Sequence, residues 1–452
     1  MASNWPRVRV SDVCELIVDC VNKTAPVSPV PTPYKMIRTP NIKNGRVSTD
    51  DCRCVDADTF AKWTRRATVE RNDVLLTREA PLGEVGIVNS SEQLFLGQRI
   101  MQYRADQSKL DPHFLLYSFL SPDLQHQFSM HEGSGSVVSH IRVGDCSKFE
   151  LNLPPLAMQK RISEILRNLD NRITLNHQIN QTLELMAQTL FKSWFVDFDP
   201  VMDNALDAGN PIPDELQHRA EARQAVRESE DFKPLPDDVR QLFPDAFEES
   251  ELGWVPKGWV VSTAGDEFTV KGGSTPSTKS AEFWEGGDIH WTSPKDLSGK
   301  AEKILLDTER KITTLGLRKI TSGLLPPETV LMSSRAPVGY LAMTKVPVAI
   351  NQGYIAITES KSLTQEFALY WLNSKIEMIK SISGGTTFAE ISKKTFRTIP
   401  IVVPSAQSAN AFSETVALYL NKISKNVEEC SSLGALRDSL LPKLISGELE
   451  II

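Results

Sequence analysis

Few side chains in this chain are placed to do chemistry, and those that are occur twice. Arg78 and Arg335 each stand just ahead of an Ala-Pro-x-Gly turn, Ala80-Pro-Leu-Gly83 and Ala336-Pro-Val-Gly339. A turn projects its side chains, and the planar guanidinium fork can contact guanine O6 and N7 together, or close on a local carboxylate. Gln98 and Gln352 each follow a strand-like run. Such a glutamine could read adenine N6 and N7, or be buried to satisfy a sheet edge. The loop Lys271-Gly-Gly-Ser-Thr-Pro-Ser277 joins a cation, a glycine pair and the hydroxyls of Ser274 and Thr275. It could hold a phosphate through backbone N–H groups and Lys271, or be a plain surface turn. The first half offers only the looser Asn22-Lys-Thr-Ala-Pro26 there. Lys295 is a further cation in a duplicated segment. The hydroxyl-rich loops at 133–138 (Ser134, Ser136) and 384–388 (Thr386, Thr387) suit groove or phosphate contact, or simple connection.

These are binding chemistries, and the sequence offers little for catalysis. There is no G-x-x-x-x-G-K-[ST], no G-x-G-x-x-G between a strand and a helix, no H-E-x-x-H and no G-x-S-x-G. Asp111-Pro-His-Phe114 only approximates the [DN]-P-P-[YF] motif of adenine methyltransferases, and it reads as a helix start. Seven scattered histidines give little support to paired acid and base roles. Cys52 and Cys54 are too close for a zinc hairpin and have no His nearby in sequence, so the six cysteines are read as reduced thiols. Neither a metal nor a resident cofactor is expected.

The elements that position these residues follow from length, charge and repetition. A chain of 452 residues suggests about three folded units at ~150 residues each. The longest apolar runs fall short of the ~20 residues that cross a membrane, and the start lacks an apolar leader segment, so an intracellular, cytoplasmic protein is expected. The net charge of −7 argues at first against a polyanion partner. However, 197–251 alone holds 16 acidic and 5 basic residues, net −11, which leaves +4 for the remainder. One acidic connector thus separates two mildly basic bodies. We expect it to be a solvated excursion with one short helix near 213–228.

The bodies repeat. Trp5 and Asp12 recur as Trp259 and Asp266, Gly45-Arg46 as Gly299-Lys300, and Phe114-Leu-Leu-Tyr117 as Phe367-Ala-Leu-Tyr370. A tandem duplication covers nearly everything outside the connector. Each half is a mixed body of short β-branched runs, punctuated by Gly, Pro, Asn and Ser, followed by one long helix.

In the first helix, about 156–195, Ile162, Leu166, Leu169, Ile173, Asn176, Asn180, Leu183, Ala187, Leu190 and Trp194 alternate at spacings of four and three, which is a heptad seam. The second repeats it with Phe412, Val416, Tyr419, Ile423, Asn426, Cys430, Leu433, Arg437, Leu440 and Leu444. A 40-residue helix is ~60 Å long, so each must pack against the other or a partner. Asn176, recurring as Asn426, would restrict register or simply be satisfied locally. Pro442 should kink or end the second helix early.

Leu153-Pro-Pro-Leu-Ala-Met-Gln-Lys-Arg-Ile162, Leu190-Phe-Lys-Ser-Trp-Phe-Val-Asp-Phe-Asp-Pro200, Glu251-Leu-Gly-Trp-Val-Pro-Lys-Gly-Trp259 and the segment 272–299 resemble the type I restriction-modification specificity (S) subunits, the HsdS family. The resemblance spans both halves. It implies an α+β fold: two tandem mixed α/β target-recognition domains, each followed by a long helix, the two helices pairing as an antiparallel coiled coil. The implied division is 1–152 and 252–403 for recognition, 153–196 and 404–446 for spacer helices, and 197–251 for the connector.

It further implies a non-catalytic subunit that reads a split site on double-stranded DNA, one domain per half-site. Helices 156–195 and 405–444 would dock methylation (M) subunits, two in number, and restriction (R) subunits would join them. S-adenosylmethionine, ATP and Mg would act through those other subunits. The second helix departs from the family by opening Pro404-Ser-Ala-Gln-Ser and by lacking a counterpart of Trp194-Phe-Val-Asp-Phe. The residues leave a helical adaptor without sequence reading as the alternative.

Overall fold

The computed structural model describes residues 5–130, 140–384 and 389–449. They form two compact units, 1–174 with 430–452 and 175–429. Each unit therefore holds one body with part of both long helices.

In the first unit a six-stranded sheet runs in the order Cys14–Asp19, Ile100–Ala105, Val74–Arg78, Leu82–Ile87, Gly45–Val47, Ile42–Lys43. In the second, five strands repeat that order: Phe268–Lys271, Tyr354–Ser360, Val330–Ser333, Leu341–Thr344, Ile304–Leu305. Both sheets are antiparallel except where Gly45–Val47 meets Leu82–Ile87 and where Ile304–Leu305 meets Leu341–Thr344. A three-stranded sheet also recurs. Tyr34–Ile37 lies between antiparallel Arg53–Val55 and parallel Gln93–Leu96, as Ile289–Thr292 lies between Arg310–Ile312 and Ala349–Ile350. The duplication read from the sequence is thus a duplication of strand order and sense.

Each sheet buries one face under a helix whose start is capped in the same way. The Asp111 carboxylate accepts from the Phe114 N–H to open Pro112–Leu120, and the Thr364 hydroxyl accepts from the Phe367 N–H to open Gln365–Ile382. Asp111-Pro-His-Phe114 is accordingly a helix start. The long helices complete both cores. Ile162, Leu166, Leu441 and Leu444 pack under the first body. Phe191, Phe195, Phe412 and Val416 pack under the second.

The first long helix is Leu156–Phe195 and the second Ala406–Ser446. Their contacts are antiparallel within each unit. Asn176 meets Glu429 and Asn180 meets Asn426 in one; Asp170 meets Arg437 and Ile173 meets Cys430 in the other. Pro442 does not end the second helix, which continues to Ser446. The proline removes a single donor close to the C-terminus, and Leu441, Leu444 and Ile445 are held by the first body's core. The opening Pro404-Ser is a cap, with the Ser408 N–H donating to Ser405 Oγ at 3.1 Å.

The connector is folded, contrary to the solvated excursion expected. It contains helices Asp199–Ala208 and Gln217–Arg227, and its last strand, Phe247–Ser250, forms a hairpin with Gly253–Pro256 just beyond it. Val201, Met202, Ala205 and Phe243 are buried. Part of its acidity is used internally, because Asp203 takes two bonds from Arg223 and Asp207 is paired by Arg227 and Arg240. A sequence count of charge does not show this internal pairing.

Candidate nucleic-acid interface

Three segments meet at the end of one central strand in each body. The strand Val74–Arg78 runs into the Ala80-Pro81 turn, and Val330–Ser333 runs towards Ala336-Pro337. Both Ala-Pro bonds are cis, and both alanines have positive φ, 48° and 52°. The glutamine loop joins from one side, with the Arg78 N–H donating to Arg99 O and the Ser334 N–H to Gly353 O, each at 2.8 Å. The chain beyond the hydroxyl-rich loop joins from the other side. There the Ile141 and Ile391 N–H groups donate to Arg78 O and Ser334 O, each at 3.0 Å.

This geometry separates the two arginines that the sequence suggested were equivalents. Arg78 matches Ser334, and Arg335 matches Glu79. A one-residue offset along a strand reverses the face a side chain takes. Arg78 is half-buried and donates from Nη1 to Ile141 O at 2.9 Å, with its Nε buried and unpartnered among the described residues. It ties down the returning chain. Arg335 is likewise half-buried and lies 3.9 Å from Glu390, so it takes the carboxylate-paired alternative. The matching Glu79 pairs with Arg99 at 3.4 Å. Glu79, Arg99 and Glu390 were missed, although counting residues back from each Ala-Pro would have found the first.

The glutamines are true equivalents. Thr24 Oγ1 donates to Gln98 Oε1 at 3.3 Å, and Thr275 Oγ1 donates to Gln352 Oε1 at 2.7 Å. Gln98 is half-exposed and Gln352 exposed, so neither fills a sheet edge. In both, the Nε2 donors have no partner among the described residues, and the amide is oriented by its threonine.

In the Lys271 loop the glycine pair and the Ser274 hydroxyl serve the fold. A Cβ on Gly273 would lie 1.7 Å from Ile350 O, so the glycine is required by close backbone approach. Ser274 Oγ donates to Lys319 O and accepts from the Thr321 N–H, which uses its hydroxyl inside the fold. Lys271 is exposed at a strand end. Lys295 is exposed and paired with Glu309 at 2.9 Å, a partner that raises its pKa. Ser134, Ser136, Thr386 and Thr387 lie outside the described residues.

Along the long helices, Ile162, Leu166, Asn176, Trp194, Phe412, Val416, Ile423 and Asn426 are buried. Leu169, Ile173, Leu183, Leu190, Tyr419, Leu433 and Leu440 are half-buried. Asn176 does not pair with its repeat. Its Nδ2 donates to Glu429 Oε2 at 3.0 Å, while Asn426 Nδ2 donates to Asn180 Oδ1 at 2.8 Å. The Oδ1 atoms of Asn176 and Asn426 are buried and unpartnered among the described residues, so this polar step in the seam costs stability.

A tyrosine anchors each body to the helices. Tyr117 donates to Asp170 Oδ2 at 2.7 Å, and Asp170 also receives Arg437 at 2.9 Å. Tyr370 donates to Glu184 Oε2 at 3.1 Å, and Glu184 also receives Lys303 at 2.6 Å. Burial, then the adjoining carboxylate, pushes both phenols far above their ordinary range, so both remain donors.

Among the described residues no group of His, Cys, Asp and Glu could hold a metal, and no helix is long and apolar enough to cross a membrane.

The duplicated architecture has known counterparts. The type I restriction modification DNA specificity domain matches at 2–185 and again at 256–426. The HindI specificity subunit of Haemophilus influenzae is 29% identical over 407 residues, covering 85% of this chain and 88% of that protein. The MjaIX specificity subunit of Methanocaldococcus jannaschii is 37% identical over 190 residues, 42% of this chain and 44% of that one. In fold, the crystal structure of the S subunit from M. genitalium is similar at a TM-score of 0.56 and 16% identity, covering 99% of this chain and 97% of that one. With the specificity domain matched twice across most of its length, the chain belongs to the type I restriction-modification DNA specificity subunit family.

Proposed function

We propose that this chain is the non-catalytic DNA-reading subunit of a cytoplasmic type I restriction-modification complex. The observation that carries this is the repetition of one body, with five strands of its main sheet in the same order, and with a threonine-held glutamine amide and an Ala-Pro turn at the same place in each copy. Repeated bodies with divergent polar tips suit a split duplex target, one half-site per body. The functional segments are the recognition bodies 1–152 and 252–403, the spacer helices 153–196 and 404–446, and the connector 197–251. Within the second unit, Leu185 and Met186 are 64% and 45% exposed on the wall of a groove of about 710 Å³ that also includes Trp194, Val226 and Phe232. An exposed apolar groove suits a helix of a methylation subunit. Two such subunits, and then restriction subunits, complete the assembly and supply S-adenosylmethionine, ATP and Mg chemistry.

The test is co-expression with the methylation subunit encoded beside it, followed by mapping of N6-methyladenine in host DNA by single-molecule sequencing. A split motif with one modified adenine in each half, absent without this chain, is expected. Soluble co-purification without chain-dependent methylation would overturn the reading in favour of a helical adaptor. Exchanging 1–152 for a relative's equivalent should change one half of the motif only; a change in both halves would refute one body per half-site.

A further inference from the structure

On the surface of the first unit an open cavity of about 370 Å³ lies between the body and the first long helix. Arg46 and Arg71 enter it from the body, His113 from the capped helix, and Arg167 and Asn171 from the long helix. The single carboxylate in its lining, Asp170, is already engaged through both oxygens, by Tyr117 and by Arg437. Neither Arg71 nor Arg167 has a carboxylate partner among the described residues. Arg46 donates to Asp170 O and Thr174 Oγ1, which fixes its side chain without neutralising it. The cavity therefore holds three guanidiniums against one carboxylate that has its own arginine. His113 reports the same field, since burial first and then Arg167 and Arg71 lower its pKa, with Asp111 opposing.

We propose that this cavity binds a phosphate group of the DNA backbone, a contact independent of base sequence that ties the first body and the spacer helix to the duplex. The inference rests on the DNA-reading function proposed above. The donors are guanidinium and amide N–H groups, which match the acceptor-only oxygens of a phosphodiester, and contacts of this kind position a protein on DNA without reading it. The matching positions of the second unit are Lys300, Pro327, Glu366 and Ala417, so the clamp belongs to one half only.

The test compares the full chain, in complex with its methylation subunit, with the double variant Arg71→Ala/Arg167→Ala. Affinity for target and non-target duplexes is measured across a salt series. Losing this phosphate contact should flatten the slope of log K against log salt by roughly one, weaken both duplexes alike, and leave the methylated motif unchanged. Arg71→Lys/Arg167→Lys should restore the slope, which separates lost charge from lost folding. In the full chain, adding duplex should raise the His113 pKa read by NMR. An unchanged slope would overturn the proposal. So would a His113 response to inorganic phosphate but not to duplex, or loss of the methylation subunit with the slope intact, which would assign the cavity to an acidic protein surface. If the wild-type complex fails to distinguish target from non-target duplex, the DNA-reading function itself fails, a result separate from these.

Discussion

His113 and Glu366 occupy the same position, two residues beyond the caps Asp111 and Thr364, on equivalent helices of the two bodies. Their surroundings have opposite sign. His113 faces Arg167 and Arg71, whereas Glu366 faces Glu328, with Lys345 opposing. The turn tips differ in the same manner, Glu79 with Arg99 in one body and Arg335 with Glu390 in the other. Strand order, caps and tyrosine anchors are kept while the charges beside them are exchanged. Strand order and helix starts thus carry the duplication, and the polar residues at the rims are part of what makes the halves different.

The largest contrast should be in packing. Beneath the second body the helices supply aromatic rings, with Phe412 lying 5.5 Å from Phe191 and 5.4 Å from Phe195 between centroids. Beneath the first body they supply aliphatic side chains such as Ile162 and Leu444. Phe412→Ala should cost about 3–5 kcal/mol, and Leu444→Ala, a smaller side chain two residues from the end of its helix, less, about 2–3 kcal/mol. Hydrogen exchange resolves the two. Phe412→Ala should speed exchange in Tyr354–Ser360, and Leu444→Ala in Ile100–Ala105. Equal losses in both sheets from either variant would show that the units do not open separately.

Next come the anchors. Glu184 is 10% and Lys303 16% exposed, against 23% for Asp170 and 31% for Arg437. Removing one charge from the more buried pair strands the other, so Glu184→Gln should cost about 3 kcal/mol, whereas Asp170→Asn should cost about 1 kcal/mol. Denaturant unfolding of both variants checks the order. A reversed order would mean that the second anchor is already solvated.

The parts of this architecture read from sequence were those written in consecutive residues. The heptad spacing marked the first long helix as Leu156–Phe195, and Asp111-Pro marked a helix start. Asn176 was visible as a polar step, but its partner Glu429 was not, because antiparallel pairing sets a different register from the repeat. Arg78 and Arg335 were matched by proximity to Ala-Pro when the strand face depended on one residue of offset. Phe191 and Leu441 joined the cores from outside the seam, since a helix serving both a partner helix and a body needs a second apolar stripe. The cavity could not be read at all. Arg71 and Arg167 are brought together only by docking of the body on the helix, and charge counting treats each as an ordinary surface arginine.

The smallest effect is on pH dependence, and here the two halves should move in opposite directions. Folding lowers the pKa of His113 below its ordinary value of 6.5, so the folded state binds fewer protons than the unfolded one. Stability from this site is complete above pH 6.5 and declines as pH falls through 6.5 towards the depressed value. Folding raises the pKa of Glu366 above its ordinary 4.5, so the folded state holds the extra proton. Stability from that site is complete below pH 4.5 and declines as pH rises through the elevated value. His113→Gln should therefore reduce the sensitivity of the first unit to mild acid and change little above neutrality. Glu366→Gln should stabilise the second unit at neutral pH, with the difference disappearing below pH 4.5. Hydrogen exchange of the two central sheets against pH, in wild type and each variant, reads both signs. Parallel shifts in the two sheets would mean that the exchanged charges at the rims do not set the electrostatics of their own halves.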